Sequence, residues 1–266
     1  MSAISNRFFV YVNSRDRLDG TDEDFTFQIN LPNDRQLDRV VMLDCLIPKS
    51  YYLCDTGRDT FVLSENGVNT TITLPHGNYS YLSFKSVLQT LLNDNTSQGY
   101  TYAVTYPSTL TQANTGKYTF TVSDNGGIQP SLIMGLTFFE PFGFTRGSTN
   151  TFVSNQLIST NVIKLSQEDK LYIHSSVVQN PNGDDILQEI NASDNPDFST
   201  VNYLCVAPEH YQKVLKSQNS KVFRFTLTDE DGNIMNLNGL NMNFTLLFFL
   251  RSNIYSEVSN FLQYFV

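Results

Sequence analysis

The sequence is short of several residue types, and each shortage limits what the protein can do. Its 266 residues include no tryptophan, and 17 Lys and Arg stand against 26 Asp and Glu, which gives a formal net charge of -9 and a pI near 4.7. Contacts with a phosphate backbone need clustered positive charge. The few positive side chains are scattered along this chain, so we expect no direct nucleic-acid site.

Cysteine is scarce as well. The three Cys residues, at positions 45, 54 and 205, form no C-x-x-C pair and are odd in number. A disulfide framework or a zinc site is therefore not expected. Cys45 and Cys205 lie in apolar runs, so we expect them to be reduced and to pack as small core residues.

Long hydrophobic runs are missing too. The longest, residues 246–250, is far too short to cross a bilayer. The first residues do not show a basic segment followed by an apolar one, which a signal peptide would need. We therefore expect no membrane span and no secretion.

What the chain has in abundance is aromatic residues in alternating patterns. It contains 20 Phe and 14 Tyr and is 40% hydrophobic, which is ample for a globular core. Residues 25–31 alternate between apolar and polar, as in a half-buried strand. Residues 39–47 are apolar at nearly every position, as in a strand in the interior of a sheet. Residues 242–250 carry apolar side chains on both faces towards the C-terminal end, as in a strand that is covered on both sides there. The sequence predicts a β protein.

Local signals add two hairpins and one helix. Residues 61–63 and 70–74 flank an Asn66-Gly67 turn, and residues 100–106 alternate in the same way as 117–122. Ser80 is a candidate N-cap for a helix whose single apolar face, from Phe84 to Leu92, should pack on the outside of the β core.

In two consecutive stretches the apolar residues follow neither the period of a helix nor that of a strand. We expect buried irregular chain at 132–144, where Gly and Pro interrupt the apolar residues, and a polar loop at 145–160.

The residues indicate no catalytic, cofactor-binding or metal site. His76, His174 and His210 are far apart, and none has a partner at metal-ligand spacing. The segment 229–233 imitates a calcium loop, but its glycine follows the second candidate ligand too soon, so a turn is the better interpretation. The segment 143–147 imitates a nucleophile elbow with Thr in place of Ser, without the strand-turn-helix context that this motif needs.

Taken in order, a set of motifs resembles the minor capsid (penton) proteins of virophages and polinton-like viruses. The similarity runs over most of the chain as an ordered set of motifs, and the most specific motif is the last one, at 223–249. The motifs are FVYVNSRDR at 9–17, FTFQINLP at 25–32, a strand that ends in Ile47-Pro48, a hairpin before a Leu-rich helix, GKYTFTV at 116–122, LIMGL at 132–136 followed by PFGF at 141–144, and FRFTLTDEDGNIMNLNGLNMNFTLLFF at 223–249.

The resemblance implies an all-β fold, a single jelly roll of two packed antiparallel sheets with about eight main strands, one short helix and long loops. It implies one domain over residues 1–266, with an N-terminal arm of about residues 1–7 and a C-terminal tail of about residues 252–266. The strands on either side of 229–238 would then lie in opposite sheets, with Phe225 facing Phe244 across the core. Local patterns alone would make these strands neighbours in one meander.

The resemblance also implies a role. A penton protein is a structural protein and not an enzyme. It forms homopentamers at the fivefold vertices of an icosahedral virion and contacts the surrounding double jelly roll major capsid proteins. The expected location is the virion, after synthesis in the host cytoplasm or virus factory, and a host surface receptor is a further possible partner.

Two other classes stay open at this point. A jelly-roll module that binds a glycan or a host receptor would use exposed Tyr and Asn side chains on its loops. A β-sandwich hydrolase would show a pocket with converging acid and base groups.

Overall fold

The computed structural model describes residues 7–32, 36–107, 113–166 and 169–250. Within these ranges it contains seventeen strands, one α-helix and two short 3-10 turns. In chain order they are β1 Arg7–Asn13, a 3-10 turn Ser14–Asp16, β2 Asp19–Gly20, β3 Asp24–Gln28, β4 Leu37–Pro48, β5 Thr60–Glu65, β6 Val68–Thr73, α1 Tyr81–Asp94, β7 Thr101–Thr105, β8 Thr119–Ser123, β9 Ser131–Met134, a 3-10 turn Glu140–Phe142, β10 Thr149–Thr151, β11 Gln156–Ile158, β12 Lys170–Ser175, β13 Ile186–Asn191, β14 Thr200–Leu204, β15 Lys213–Val214, β16 Val222–Thr228 and β17 Asn243–Leu250.

Contacts group the described residues into two compact units. The first unit takes the described parts of Met1–Tyr51 and Glu168–Val266, and the second those of Tyr52–Gln167. The second unit is therefore inserted, along the chain, between β4 and β12. The expected single domain over 1–266 stays a prediction, and most of its arm and all of its tail fall on residues 1–6 and 251–266, outside the described residues.

The first unit has the strand order of a jelly roll. Sheet A runs β1-β17-β4-β14, with β15 also paired to β4, and sheet B runs β13-β12-β16-β3-β2. If the two short strands β2 and β15 are set aside, eight main strands remain. The first pairs with the last, the second with the seventh, the third with the sixth and the fourth with the fifth, all antiparallel. A long hairpin rolled into two facing sheets gives this order, so the predicted jelly roll is confirmed.

The core lies between sheets A and B. Phe225 on β16 in sheet B and Phe244 on β17 in sheet A are both buried, and their ring centroids lie 5.0 Å apart in an edge-on arrangement. The two strands therefore face each other across the core, as the resemblance implied, and are not neighbours in a meander. The chain between them turns at Asn238 and Gly239, which have φ values of 51° and 80°, a region that Asn and Gly tolerate best.

Strands β4 and β17 are the centre of sheet A. Each is paired on both sides, β4 with β17 and β14, and β17 with β1 and β4. Val41 on β4 and Leu247 on β17 point away from the core yet are buried. The prediction that residues 39–47 form an interior strand of a sheet is confirmed, and Leu247 of the last strand is covered on its outer side, whereas the outward-pointing Leu46 of β4 is exposed.

The second unit has its own core. Its sheets run β10-β9-β5-β6 and β11-β8-β7, and both predicted hairpins, β5–β6 and β7–β8, are present. Helix α1 begins at the predicted cap: Ser80 Oγ accepts a hydrogen bond from Ser83 N, and the Ser83 hydroxyl reaches back to the Ser80 N–H. The face of Phe84, Leu88 and Leu92 is fully buried, so the helix covers the β core of this unit.

The two stretches without a period are more regular than expected. The segment 132–144 starts in strand β9 and contains a 3-10 turn, and 145–160, predicted as a polar loop, contains the short strands β10 and β11. Strands β10 and β11 have only three residues each, which is too short for a strand pattern to be recognised in the sequence. These strands form because β9 and β8 offer them partners that are distant in the chain.

The facing aromatic pair leads to a prediction about stability. Phe244→Ala removes a buried ring from the middle of the sandwich and should lower the free energy of unfolding by about 3–5 kcal/mol. Phe9→Ala, in which the ring lies on the outer face of the same sheet, should cost less than about 1 kcal/mol. Urea unfolding of both variants measures the difference. Equal losses would contradict a core between these two sheets.

Candidate interaction surfaces

The outer face of sheet A carries large apolar side chains. Phe9 and Tyr11 on β1, Leu46 on β4 and Leu204 on β14 all point away from the core and are exposed, Tyr11 at 77% and Leu204 at 69%. The register puts Tyr11, Thr245, Asp44 and Leu204 in one row across four strands. We call Phe9, Tyr11, Leu46 and Leu204 the apolar face. Such side chains, grouped on a sheet, are typical of a surface that is buried in an assembly.

One end of the same face is crossed by the segment between β14 and β15. Glu209 in this segment pairs with Arg7 on β1 at 2.8 Å, and the Arg7 guanidinium lies 5.9 Å from the ring centre of Phe249. The pair thus joins this segment to β1, at the other edge of the sheet from β14. Val41 and Leu247, which pair with each other in the sheet, point outward and are buried. The apolar face is the part left uncovered.

Sheet B has a different outer face, made of charged and hydroxyl side chains. Arg224 on β16 holds Asp24 on β3 through two hydrogen bonds of 2.7 and 2.5 Å, and the Thr226 hydroxyl donates to the same carboxylate at 2.8 Å. The hydrogen bond from Arg224 lowers the pKa of Asp24, against the opposing effect of burial. Lys170 and Glu189 form another cross-strand pair at 2.7 Å. A face of this composition is suited to water.

The outer face of sheet B also brings together three residues that the sequence analysis did not connect. Asp185 Oδ1 lies 2.7 Å from His174 Nδ1, and His174 Nε2 lies 3.1 Å from the Thr228 hydroxyl oxygen. The order acid, imidazole, hydroxyl is that of a hydrolase triad. Thr228, however, is only 6% exposed, and its hydroxyl donates to the main-chain oxygen of Asp229 at 3.1 Å. The Thr228 side chain is thus buried and bonded, and the three side chains link β12, β16 and the chain just before β13.

The other candidates from the sequence analysis have structural partners. His76 lies 3.0 Å from Asp59 in the second unit. Asp229 Oδ1 accepts from the main-chain N–H groups of Asp231 and Asn233, so the predicted turn is present. Among the residues that the structure describes, no group of three or more His, Cys, Asp or Glu could hold a metal ion.

The cysteine and elbow predictions have clear outcomes. Cys45, Cys54 and Cys205 are free thiols; Cys45 is buried in the jelly-roll core as predicted, but Cys205 is only half-buried. Gly143 ends a 3-10 turn in the left-handed region, with φ 72°, and a Cβ there would lie 2.6 Å from the main-chain oxygen of Asn161. This glycine is needed for close packing, and segment 143–147 follows a 3-10 turn and not a strand.

A buried carboxylate, Glu65, is the most perturbed acid of the second unit. It accepts five hydrogen bonds, of 2.6 to 3.2 Å, from Thr96, Ser97, Gln98 and Tyr102. Burial acts to raise the pKa of Glu65, but the hydrogen bonds from Tyr102, Thr96 and Ser97 outweigh it and the pKa is lowered. Glu65 thus joins the end of β5 to the turn that follows α1. Such saturation with donors is typical of a structural anchor and not of a base awaiting a proton.

Comparisons with known proteins find similarity among solved structures but not among families or curated sequences. No protein-family model matches the sequence, and a search of curated proteins finds no match. The structure is similar to the crystal structure of the SeMet-labeled mavirus penton protein. The similarity covers 92% of this chain and 100% of that chain, at 9% sequence identity and a TM-score of 0.49. Within the described residues, no helix combines the length and apolarity needed to cross a membrane.

The Glu65 anchor predicts a pH-dependent loss of stability. Because its pKa is lowered in the folded state, Glu65 stabilises the fold above about pH 4.3, the ordinary pKa of Glu, and this contribution is lost as the pH falls through the folded value. Glu65→Gln should therefore lower the free energy of unfolding by about 3 kcal/mol at pH 7 and by clearly less at pH 3.

Urea unfolding between pH 7 and pH 3 measures this difference. Glu140→Gln, which removes an exposed carboxylate of the same unit, is the matched control and should change stability by less than about 0.5 kcal/mol. A loss for Glu65→Gln that does not depend on pH would show that the charge of Glu65 is not what anchors the turn.

Proposed function

We propose that this protein is a structural capsid protein, a penton that forms closed homopentamers at the fivefold vertices of an icosahedral virion. In this proposal it contacts the surrounding double jelly roll major capsid proteins, is located in the virion, is not secreted and performs no catalysis.

The observation that carries the proposal is where the ordered motifs fall in the fold. The motif at 9–17 contributes most of β1, that at 25–32 contributes to β3, and that at 223–249 contains nearly all of β16 and β17. These are the first, second, seventh and eighth strands of the jelly roll, which pair as first with last and second with seventh. Three of the motifs that resemble penton proteins thus fall in the strands that close the sandwich.

The contrast between the two outer faces supports an assembly role. A closed ring needs surfaces that are buried between copies, and the centres of such interfaces are poor in charge and rich in aromatic and aliphatic side chains. Tyr11 and Leu204, the most exposed members of the apolar face, are side chains of this kind, although Thr245 and Asp44 lie between them in the same row. On the outer face of sheet B, the central side chains Asp24 and Arg224 form an ion pair. We assign the apolar face to the contact with a sister copy.

The proposal predicts a defined oligomer. The purified protein, alone or mixed with its major capsid partner, should have the mass of a pentamer in light scattering after size exclusion and in native mass spectrometry. A protein that stays monomeric at every concentration, with and without that partner, would contradict the proposal.

Introducing negative charge on the apolar face should break the ring. The double variant Tyr11→Asp/Leu204→Asp would place two carboxylates in a desolvated contact and should weaken pentamer formation at least about 100-fold, or about 2.7 kcal/mol. Val153→Asp, at an equally exposed position in the second unit, is the matched control and should leave assembly unchanged. Pentamers of unchanged stability in the double variant would exclude this face from the contact.

A further inference from the structure

A cleft lies on the side of the jelly roll, beside the edge strand β13. It has a volume of about 590 Å³ and is lined by β13, by the loop 180–184 before it and by residues 210–213, which lead into β15. This volume is in the usual range for sites that bind small ligands. The apolar face of sheet A does not contribute to it, so the cleft is a separate surface.

One wall of the cleft is a rigid polar loop. Asn180 is largely buried, and its amide donates to the Asp184 carboxylate and, at 2.9 Å, to the main-chain oxygen of Ile186. Asn182 donates to the second oxygen of Asp184, and Ile186 N to the first. Main-chain hydrogen bonds from Asn180 to Asp184 and from Gly183 to Asn180 close the loop. Its polar groups are therefore in place before a ligand arrives.

Asp184 is a fixed acceptor in this wall. The hydrogen bond from Asn180, followed by that from Asn182, lowers the pKa of Asp184 below its ordinary value. The group is thus ionised at neutral pH and can only accept. A carboxylate has about four lone-pair sites, and the loop uses three of them, which leaves capacity for a donor from a ligand.

Aromatic side chains form the other part of the cleft. Tyr172 stands on the outer face of β12, and Tyr211 is 57% exposed at the rim, next to His210 and Gln212. A tyrosine offers a flat apolar face with a polar tip. An exposed ring beside fixed hydrogen-bonding groups suits a ligand that has C–H groups on one side and hydroxyl groups around its edge.

The charges of the cleft occur near partners of opposite sign. Glu189 is paired with Lys170 at 2.7 Å, and Lys213 is close enough to Asp184 to favour its ionised form. This arrangement gives no excess of positive charge for a phosphate, sulfate or sialic acid. It favours a neutral ligand rich in hydroxyl groups.

We propose that this cleft binds a neutral glycan, with the ring of Tyr211 stacked on the apolar face of a sugar and with Asp184 and Asn182 bonded to its hydroxyl groups. This inference does not depend on the capsid proposal, since a monomer would carry the same cleft.

A glycan array probed with the whole protein, followed by saturation-transfer NMR and titration with the neutral hexose and N-acetylhexosamine oligosaccharides that score, tests the proposal. We expect binding of at least one neutral glycan. Tyr211→Ala should weaken it at least about tenfold, because the stacking partner is lost, whereas Tyr211→Phe should keep most of it. Phe198→Ala removes an exposed ring of the same unit outside the cleft and should change nothing.

Several results would overturn the proposal. These are binding of anionic glycans only, binding of peptides but of no sugar, no binding of any probe, or binding of a neutral glycan that Tyr211→Ala leaves intact. The Asp184→Asn variant gives a second readout, because it keeps the size of the side chain but removes the charge. Its affinity should fall, and an unchanged affinity would exclude Asp184 from the contact.

Discussion

The packing of sheet A against sheet B, with Phe225 and Phe244 in contact at its centre, is the constraint on which the rest of the first unit depends. Because these rings sit on consecutive main strands, the chain between them must cross from one sheet to the other. That crossing makes the last strand pair with the first and the seventh with the second. The turns at 229–233 and 238–239 serve this crossing, and Asp229 holds the first of them through the main-chain N–H of Asn233.

Once the sandwich is closed, each sheet has one face left, and the two faces are chemically unlike. Sheet B pairs its charges across strands, as Asp24 and Arg224 do, whereas sheet A leaves Tyr11 and Leu204 exposed. Both faces belong to antiparallel sheets that could have been equally polar. This difference is the reason for proposing that the outer face of sheet A is buried against a sister copy. The cleft beside β13 lies apart from the apolar face, so assembly and ligand binding can coexist on one subunit.

Features that depend on nearby residues could be predicted from the sequence, and features that depend on distant ones could not. The Asn66-Gly67 hairpin, the Ser80 cap of α1 and the doubly covered strand at 242–250 follow from local patterns. The insertion of a second unit between β4 and β12 leaves no mark in composition. The contact of His174 with Thr228 and the cleft between 180–189 and 210–213 arise from strand pairing between distant segments, which no periodicity encodes. Only the order of motifs, taken from a family resemblance, gave the sheet-to-sheet arrangement.

The central claim is that the jelly roll works by burying the outer face of sheet A against sister copies around a vertex. An electron cryomicroscopy map of the fivefold vertex of the virion tests it most directly. The account predicts five copies of this chain around the axis, with Tyr11 and Leu204 buried between neighbours and with Arg224 of sheet B in contact with water. A vertex built from another protein, or a ring of this chain in which Tyr11 and Leu204 face solvent, would contradict it.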